Sequence, residues 1–356
     1  MNQILMIVMA MGAILGGIDR LIGNKFGYGD KFEEGFRLLG PMALSMTGMI
    51  CLAPVLADVL GRVIVPFYQA IGTDPAMFGS ILAIDMGGYQ LAKELAADSR
   101  IGSYAGIVAA AVFGCTLVFT IPVGMGMIRR EDRQLFAKGI MLGLAAMPAG
   151  LLAGGILSGL SLPECLRQNL TIFAAALLLL AGLWKIPDKM VQGFCILADG
   201  IRALITVGLM LAAADHLCGW KLLPGMAPIE DAMGVVSSIG IVMLGSLPAA
   251  ELLRRLLEKP FARLGTRLNI SPLGLTGMLL GSVSAIPVFS LYQEMDSKGK
   301  VAVGAFLVSG TSLLAAHMGF VISTEPDMLP ALVCGKLCGA LCAVVLAFLF
   351  QRNPLD

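Results

Sequence analysis

The stretch VIVPFYQAIGTDPAMFGSILAIDMGGYQLAKEL (63–95) decides the fold of this chain. Pro75 suits the first turn of a helix, and the Gly87-Gly88 pair interrupts that helix after about three turns. An acid, Asp85, stands two residues before the glycine pair. The pattern predicts a broken helix that carries a negative charge close to its break.

The chain around this stretch has the composition of a membrane protein. Of its 356 residues, 57% are hydrophobic and only 14% are charged, which is far from the usage of soluble domains. Several windows contain no charged side chain, and each is long enough to cross a hydrocarbon core, which needs about 20 apolar residues. Because backbone inside lipid must be helical, we expect an all-α polytopic membrane protein embedded in the lipid bilayer. These windows include 101–128, 139–163, 232–250, 268–293 and 301–324.

The charge and the motif content argue against several functions. The formal net charge is +1, whereas nucleic-acid binding needs a basic footprint. The sequence has no GxxxxGK[ST] phosphate-binding loop, and its eight cysteines are not arranged with histidines as metal sites. No acid pair or activated nucleophile is evident either. We therefore expect no nucleic-acid partner, no metal or cofactor, and no enzyme activity.

Two segments of the chain resemble each other and indicate an internal duplication. MTGMICLAPVLADVLGRVIVPF (46–67) aligns with SIGIVMLGSLPAAELLRRLLEKPF (238–261), which places Gly48 on Gly240. Weaker matches on both sides keep the same order. Many transporters are built from two such halves. The predicted parts are a first transmembrane repeat at 1–160, a linker span at 161–189 and a second transmembrane repeat at 190–356.

The distribution of Lys and Arg predicts the topology, since these residues favour cytoplasmic loops. If every hydrophobic segment crossed once, eleven crossings would place 12 of the Lys and Arg residues outside the spans in the cytoplasm and 11 on the other side, which indicates no orientation. If segments 62–96 and 254–292 each enter and leave on one face, nine crossings place 18 of these residues in the cytoplasm and 5 on the other side. The sequence thus predicts 11 hydrophobic segments: nine full crossings and two re-entrant elements. The N-terminus is expected outside, the C-terminus in the cytoplasm, and the second repeat inverted relative to the first.

The break in the first repeat is the candidate substrate site. Free carbonyls, the negative end of a helix dipole and the Asp85 carboxylate together suit a cation. Ionisable residues inside spans are costly and usually functional, although Asp85 could instead be neutralised by a basic neighbour and kept for packing. Tyr89 and Gln90 follow the glycine pair and either contact the substrate, since aromatic faces attract ammonium groups, or pack between helices.

The second repeat offers hydroxyl groups at the matching place. GSVSAIP (281–287) contains Ser282 and Ser284 but no acid. The site is therefore expected to be asymmetric, with a cation held on one side and a polar group on the other. Thr116 either lines the pathway within its span or bonds its own helix backbone.

Four charged residues are candidates for a gate or an entry. Glu33 and Glu34, within FEEGF (32–36), form either a funnel for cations or a cap at a helix N-terminus, where acids are favourable. Lys93 and Glu94 are expected to form an ion pair at the surface or at a gate.

Glycines four residues apart recur in several spans and permit close helix contact. Such contact serves either a homodimer or packing inside one subunit. The pairs are Gly12/Gly16, Gly139/Gly143, Gly150/Gly154, Gly155/Gly159 and Gly335/Gly339.

FEEGF, LAPVLA (52–57) and above all IDMGGYQLAKELA (84–96) resemble the ethanolamine permease family of ethanolamine-utilisation operons, the EutH proteins. The order of spans is similar over the whole chain, while the second half is similar in hydropathy and isolated glycines only. The resemblance implies import of ethanolamine across a bacterial inner membrane. As an alkylamine, ethanolamine is mostly protonated near neutral pH, so Asp85 would suit its ammonium and the Ser282/Ser284 side its hydroxyl.

Two other functions remain open from the sequence. The first is a Na⁺- or H⁺-coupled carrier for another small polar solute, such as a nucleoside or an amino acid, in which Asp85 binds the driving ion. The second is a membrane subunit that transports nothing.

Overall fold

The computed structural model describes residues 2–81, 88–268 and 271–352. This part of the chain is almost entirely helical and contains no strand. Seven of its helices are long and apolar enough to cross a membrane, or eight if the bent pair Leu162–Gln168 and Leu170–Lys185 is one span. The all-α polytopic architecture is confirmed, and the number of nine crossings stays a prediction.

Residues 2–81 and 88–157, the described part of the first half, contain eight α-helices. Between the sixth and the seventh, the chain continues as π-helix, so that Ser99–Met127 forms one unbroken span, named here the first irregular span. The helices are α1 (Asn2–Leu21), α2 (Tyr28–Arg37), α3 (Leu39–Ala70), α4 (Ala76–Gly79), α5 (Gly88–Leu95), α6 (Ser99–Ser103), α7 (Ile121–Met127) and α8 (Arg133–Leu157).

The remaining helices repeat this order after a two-helix connection. Ser297–Thr324 is named here the second irregular span, because its middle departs from α-helical geometry. The helices are α9 (Leu162–Gln168), α10 (Leu170–Lys185), α11 (Pro187–Cys218), α12 (Ile229–Leu268), α13 (Pro272–Val283), α14 (Ala285–Leu291), α15 (Ser297–Gly310), α16 (Met318–Thr324) and α17 (Leu329–Arg352).

α4 and α5 form a hairpin whose two ends meet. The Asp74 carboxylate accepts the Ala76 N–H at 2.9 Å, which caps α4, and also the Asp98 N–H at 2.9 Å. The two arms are in close contact, because a Cβ built on Gly79 would lie 2.7 Å from the Ala92 nitrogen. The segment therefore enters and leaves at one end of the bundle, here the Asp98 end, as the distribution of Lys and Arg predicts. The predicted helix of about three turns is wrong, because α4 ends at Gly79 after about one turn.

α13 and α14 form a second hairpin at the opposite end. A Cβ on Gly299 would lie 2.7 Å from Asp296 Oδ1 and 3.3 Å from Ser271 Oγ, so the two ends of this hairpin also meet. Lys300 Nζ donates to Asp132 Oδ1 at 2.6 Å, just beyond the first irregular span. That span has 29 residues, about 43 Å of helix. The second hairpin thus enters from the other end, here the Lys300 end.

The two irregular spans run antiparallel to each other. Ser103, at the start of the first, donates to Glu325, which follows the second. Asp132, which follows the first, pairs with Lys300 near the start of the second. This inverted arrangement is the one that the charge count predicts. The boundaries at 160 and 189 stay predictions.

Most glycines of the predicted pairs pack inside the subunit. Gly159 does not, because a Cβ built on it would meet nothing within 4 Å. α8 and α17 pack along their lengths, and a Cβ built on Gly150 would lie 2.5 Å from the Gly335 carbonyl oxygen and 2.9 Å from Gly339 Cα. Of the two uses that the spacing allows, these glycines therefore serve internal packing. Those with such close neighbours are Gly12, Gly16, Gly139, Gly143, Gly150, Gly154, Gly155, Gly335 and Gly339.

We expect Gly150→Ala to lower stability, because the new Cβ would collide with backbone that cannot rotate away. Overpacking of this kind costs about 1–3 kcal/mol. Gly234→Ala is the matched control, since a Cβ on Gly234 of α12 meets nothing within 4 Å. Thermal unfolding in detergent should show a lower midpoint for the first variant only. Equal midpoints would contradict the close contact of α8 and α17.

Candidate functional site

Both irregular spans depart from α-helical geometry near their middles. In the first, Tyr104–Gly114 and Thr116–Thr120 are π-helical. In the second, Thr311 is extended and Ser312 has a φ of 55°, a left-handed conformation uncommon outside glycine, before the π-helical Leu313–His317. Such backbone is tolerated at membrane depth only where protein or a water-filled cavity surrounds it, and it frequently marks a functional site.

The tip of the second hairpin lies against the break in the second irregular span. The Ser312 N–H donates to the Gly281 carbonyl at 2.9 Å. Ser284 is the extended residue between α13 and α14, and it is half-buried. Ser282 is buried, and its hydroxyl donates to the Leu279 carbonyl at 2.6 Å. The structure therefore brings both predicted serines to the break, and Ser284 has the less engaged hydroxyl.

The predicted residues of the first hairpin are only partly placed. Asp85 and Gly87 lie outside the described residues, so their roles stay predictions. Gly88 is the first residue of α5 and is buried. Tyr89 follows, also buried, and Gln90 is half-buried.

The Asp98 end holds a polar cluster that joins the two halves. Glu325 accepts hydrogen bonds from Tyr89 Oη at 3.1 Å and from Ser103 Oγ at 2.7 Å. Lys93 Nζ lies 3.0 Å from Ser103 Oγ and 3.7 Å from Glu325 Oε1. The predicted Lys93–Glu94 ion pair is wrong. Adjacent residues of a helix do not face each other, and Glu94 points to the exposed side. The partner of Lys93 is Glu325.

The Lys300 end holds a tighter cluster of the same kind. The side chains of Lys300 and Asp132 are 11% and 13% exposed, whereas those of Lys93 and Glu325 are 30% and 29% exposed. Tyr292 Oη donates to the Lys300 carbonyl at 2.6 Å. Each end of the bundle thus has an ion pair between the halves, and the pair at the Lys300 end is the more buried.

We expect Asp132→Ala to destabilise the protein more than Glu325→Ala. Removing one member of a buried ion pair costs up to about 3–5 kcal/mol, because the other charge is left without a partner. The Lys93–Glu325 pair is about 30% exposed, so solvent screens the charge that remains and its loss costs less, although two further hydrogen bonds at Glu325 are lost with it. Chemical unfolding of the two variants measures both costs, and a larger loss for Glu325→Ala would contradict the difference in burial.

The base of the first hairpin is fixed by Asp98. Its carboxylate accepts the Arg100 N–H at 2.9 Å, capping the first irregular span, and pairs with the Arg100 guanidinium at 2.8 Å. This guanidinium holds the pKa of the Asp98 carboxyl below its ordinary value. Arg100 also donates to the Gly159 carbonyl at 3.2 Å, which ties the hairpin base to the end of α8.

Lys336 of α17 is a buried charge that the sequence analysis did not select. Its side chain has no exposed surface, and Nζ donates to the Ala111 carbonyl, in the first π-helical segment, at 2.8 Å. The available signal was a lone lysine in an otherwise apolar helix, since only Lys336 is charged between Asp327 and Arg352.

Polar atoms without partners gather in the two irregular spans. Four buried atoms there have no hydrogen-bond partner within the described ranges: His317 Nδ1, Ser309 Oγ, Thr311 Oγ1 and Thr120 Oγ1. Ser309 faces α17 one turn beyond Lys336, because a Cβ on Gly339 would lie 2.6 Å from its hydroxyl oxygen. Buried polar atoms are nearly always hydrogen-bonded, so these groups are suited to a polar ligand. They are named here, with Lys336, the central cluster.

Thr116 joins the two irregular spans directly. Its Oγ1 lies 2.8 Å from the Val112 carbonyl oxygen and 2.9 Å from the Val308 carbonyl oxygen of α15. The hydroxyl is therefore engaged by backbone at both sides. Its predicted role in lining the pathway stays a prediction, while its contact between the spans is a structural one.

Glu33 and Glu34 are engaged in ion pairs. Glu33 pairs with Arg20 at 2.8 Å and also with Arg37, and Glu34 pairs with Lys31 at 2.6 Å. α2 begins at Tyr28, so neither acid caps its N-terminus, and that interpretation is wrong. The entry role stays a prediction.

Known proteins are similar to this chain over nearly its whole length. The family model described as ethanolamine utilisation protein, EutH, matches residues 1–350. A protein of Listeria monocytogenes serotype 1/2a (strain 10403S), named probable ethanolamine permease EutH, is 39% identical over 347 residues, covering 97% of this chain and 93% of its own. The protein of Escherichia coli (strain K12) with the same name is 37% identical, covering 98% and 95%.

A third relative carries no functional name. It is the uncharacterized protein YxeR of Bacillus subtilis (strain 168), which is 36% identical over 348 residues, covering 97% of this chain and 94% of its own. No solved structure matches the chain.

Proposed function

Because the chain belongs to the family of the ethanolamine utilisation protein EutH, a family of membrane permeases and not of enzymes, we propose that it imports ethanolamine or a similar amino-alcohol cation. The membrane is the bacterial inner membrane. The relatives named probable ethanolamine permease support the substrate. The observation that carries the proposal is the antiparallel pair of irregular spans with a hairpin from each end, because secondary transporters bind substrates at such discontinuous helices.

The substrate is recognised at its two ends. Asp85 and the backbone at Gly87 and Gly88 bind the ammonium, because a carboxylate and free carbonyls are the groups that a protonated amine prefers. Ser282 and Ser284 bind the hydroxyl. The position of these serines beside Ser312 supports this assignment, which otherwise follows from the equivalence of the two repeats. Tyr89 positions the hairpin through its bond to Glu325 and does not hold the substrate.

The two ion pairs serve as gates at the two ends of the pathway. Each ion pair joins the first half to the second half. Separation of the halves at one end therefore breaks the ion pair at that end and leaves the ion pair at the opposite end intact. This is the geometry that alternating access requires. The tighter Lys300–Asp132 pair corresponds to the closed end, and the more exposed Lys93–Glu325 pair to the end that opens first.

The orientation follows from the positive charges. The Asp98 end is placed outside and the Lys300 end in the cytoplasm, because that choice puts 18 Lys and Arg residues inside and 5 outside. The N-terminus is then outside and the C-terminus cytoplasmic. Substrate enters past Lys93 and Glu325.

Uptake of labelled ethanolamine into proteoliposomes tests the proposal. At pH 6 the neutral amine is roughly one part in 10⁴ of the total, given an amine pKa near that of lysine, so diffusion through lipid is small. We expect saturable uptake that exceeds uptake by protein-free vesicles. Unlabelled 3-aminopropanol should compete well, whereas ethylene glycol, which lacks the ammonium, should not compete.

Two alternatives have distinct outcomes in the same assay. Strong competition by a nucleoside or an amino acid, with uptake that requires a Na⁺ or H⁺ gradient, would favour the coupled carrier with Asp85 as the ion site. No uptake of any of these solutes above the protein-free background would favour a non-transporting membrane subunit and contradict the proposal.

A further inference from the structure

α11 exposes a charged pair on its outer face. It is the least buried of the long apolar helices in the part of the chain that the structure describes. Asp199 and Arg202 pair at 3.0 Å, and their side chains remain 69% and 74% exposed. Exposed apolar side chains precede and follow the pair on this helix, among them Ile196 and Val207. The pair therefore stands on a surface that otherwise resembles a lipid contact.

The pair lies near the middle of the membrane. The nearest charged residues along α11 are Lys189 and Asp215. Ten residues separate Lys189 from Asp199, and 13 separate Arg202 from Asp215, which correspond to about 15 Å and 20 Å of helix. A hydrocarbon core is about 30 Å thick, so the pair is too deep for both side chains to reach the headgroups.

Lipid does not satisfy such a surface. Hydrocarbon offers no hydrogen-bond partner, and charged side chains at this depth almost always face protein or water. The helix at the equivalent place in the first half, α1, shows the contrast, since its exposed face carries apolar residues such as Met11, Ile14 and Ile18. The outer face of α11 is therefore suited to a protein partner.

The same face leaves room for another helix. Thr206 stands one turn beyond Arg202 on this face and is also exposed. A groove of about 340 Å³ beside the ion pair, lined in part by Ser45, Phe119 and Cys195, leaves room for partner side chains.

We propose that this face of α11 is the contact surface between two copies of the chain. Its acid and its base are one turn apart on a single face, so a twofold arrangement brings Asp199 of each copy to Arg202 of the partner subunit in two reciprocal pairs. The closely packed glycines of α1, α8 and α17 are already used within the subunit, as described above. The inference does not depend on the substrate.

A charge-swap cycle tests the contact. The full-length protein is reconstituted in lipid vesicles at low density, and its oligomeric state is read by single-molecule photobleaching. We expect a dimer for the wild type, at least a tenfold weaker dimer for Asp199→Arg and for Arg202→Asp, and recovery in the double swap. A monomeric wild type, unaffected single swaps, or a double swap that stays monomeric would each overturn the proposal.

Cross-linking provides a readout that does not depend on the folding of the charge variants. The eight native cysteines are replaced by alanine, and Thr206→Cys is compared with Ile14→Cys, which sits on the exposed side of α1. A short bifunctional thiol reagent in native membranes should produce dimers at position 206 and not at position 14. No dimers at position 206, or equal yields at both, would contradict the assignment of the surface.

Discussion

Asp85→Asn is expected to lower ethanolamine uptake at least about tenfold at low external concentration. The substitution keeps the shape of the side chain and removes the negative charge, so the substrate ammonium is left in a low-dielectric site without its counter-charge. A tenfold loss of affinity corresponds to about 1.4 kcal/mol, which is a modest value for a charge-assisted hydrogen bond away from water. Initial uptake rates in proteoliposomes at pH 6 measure the effect.

Asp58→Asn is the matched control for this experiment. Asp58 lies on α3, is largely exposed and pairs only with Arg62 one turn away, so its neutralisation should leave uptake within about twofold, as surface pairs are worth little. Equal uptake by Asp85→Asn and wild type would show that the acid is not the ammonium site. In that case the central cluster would be the next region to examine for the substrate.

Lys336→Met is expected to abolish most uptake while leaving the fold intact or more stable. Burial of an ammonium group away from water is costly, so an apolar side chain of similar length removes that penalty. Transport should nevertheless fall at least about tenfold, because charges retained inside the membrane usually serve the pathway. Lys336 also holds the π-helical backbone at Ala111. The two measurements are the thermal midpoint in detergent and the uptake rate.

Lost uptake with unchanged or higher stability in Lys336→Met would distinguish a role of Lys336 in transport from a role in packing. Lys221→Met, in the exposed loop after α11, controls for the loss of a positive charge and should alter neither quantity. If Lys336→Met instead lowers stability and leaves the uptake per folded molecule unchanged, Lys336 is a structural residue and has no part in transport.

The re-entrant course of the first hairpin was accessible from Pro75 and from the distribution of positive charges. Pro75 favours the first turn of a helix, and α4 begins directly after it. The Lys and Arg count over the whole chain favours segments that return to their own side. The length of the first arm was not accessible, because α4 ends at Gly79 after about one turn and not at the glycine pair.

The ion-pair partners of the charged residues could not be predicted from the sequence. Lys93 and Glu325 are 232 positions apart, and only the antiparallel packing of the irregular spans brings them together. The i and i+1 spacing of Lys93 and Glu94 suggested a pair, but successive side chains diverge on a helix. No sequence pattern indicated Arg20 as the partner of Glu33, since a turn of the chain separates α1 from α2.

Lys336 was missed for a different reason. A hydropathy window averages over many residues, so one lysine among leucines, alanines and cysteines scarcely lowers it. Its significance depends on which side of α17 faces the bundle, and that is set by the packing of Gly335 and Gly339 against α8. The sequence contained these glycines, but their partners became visible only in three dimensions.

Labelling of single cysteines at the hairpin bases tests the central claim, that two hairpins enter the membrane from opposite faces. Ala70→Cys and Ala97→Cys flank the first hairpin, and Ser271→Cys and Ser297→Cys flank the second, all in a background with the native cysteines replaced. An impermeant thiol reagent added to intact cells should label the first two positions only, and the other two should react after permeabilisation. Labelling of positions 70 and 97 from different sides, or of all four from the same side, would contradict the account.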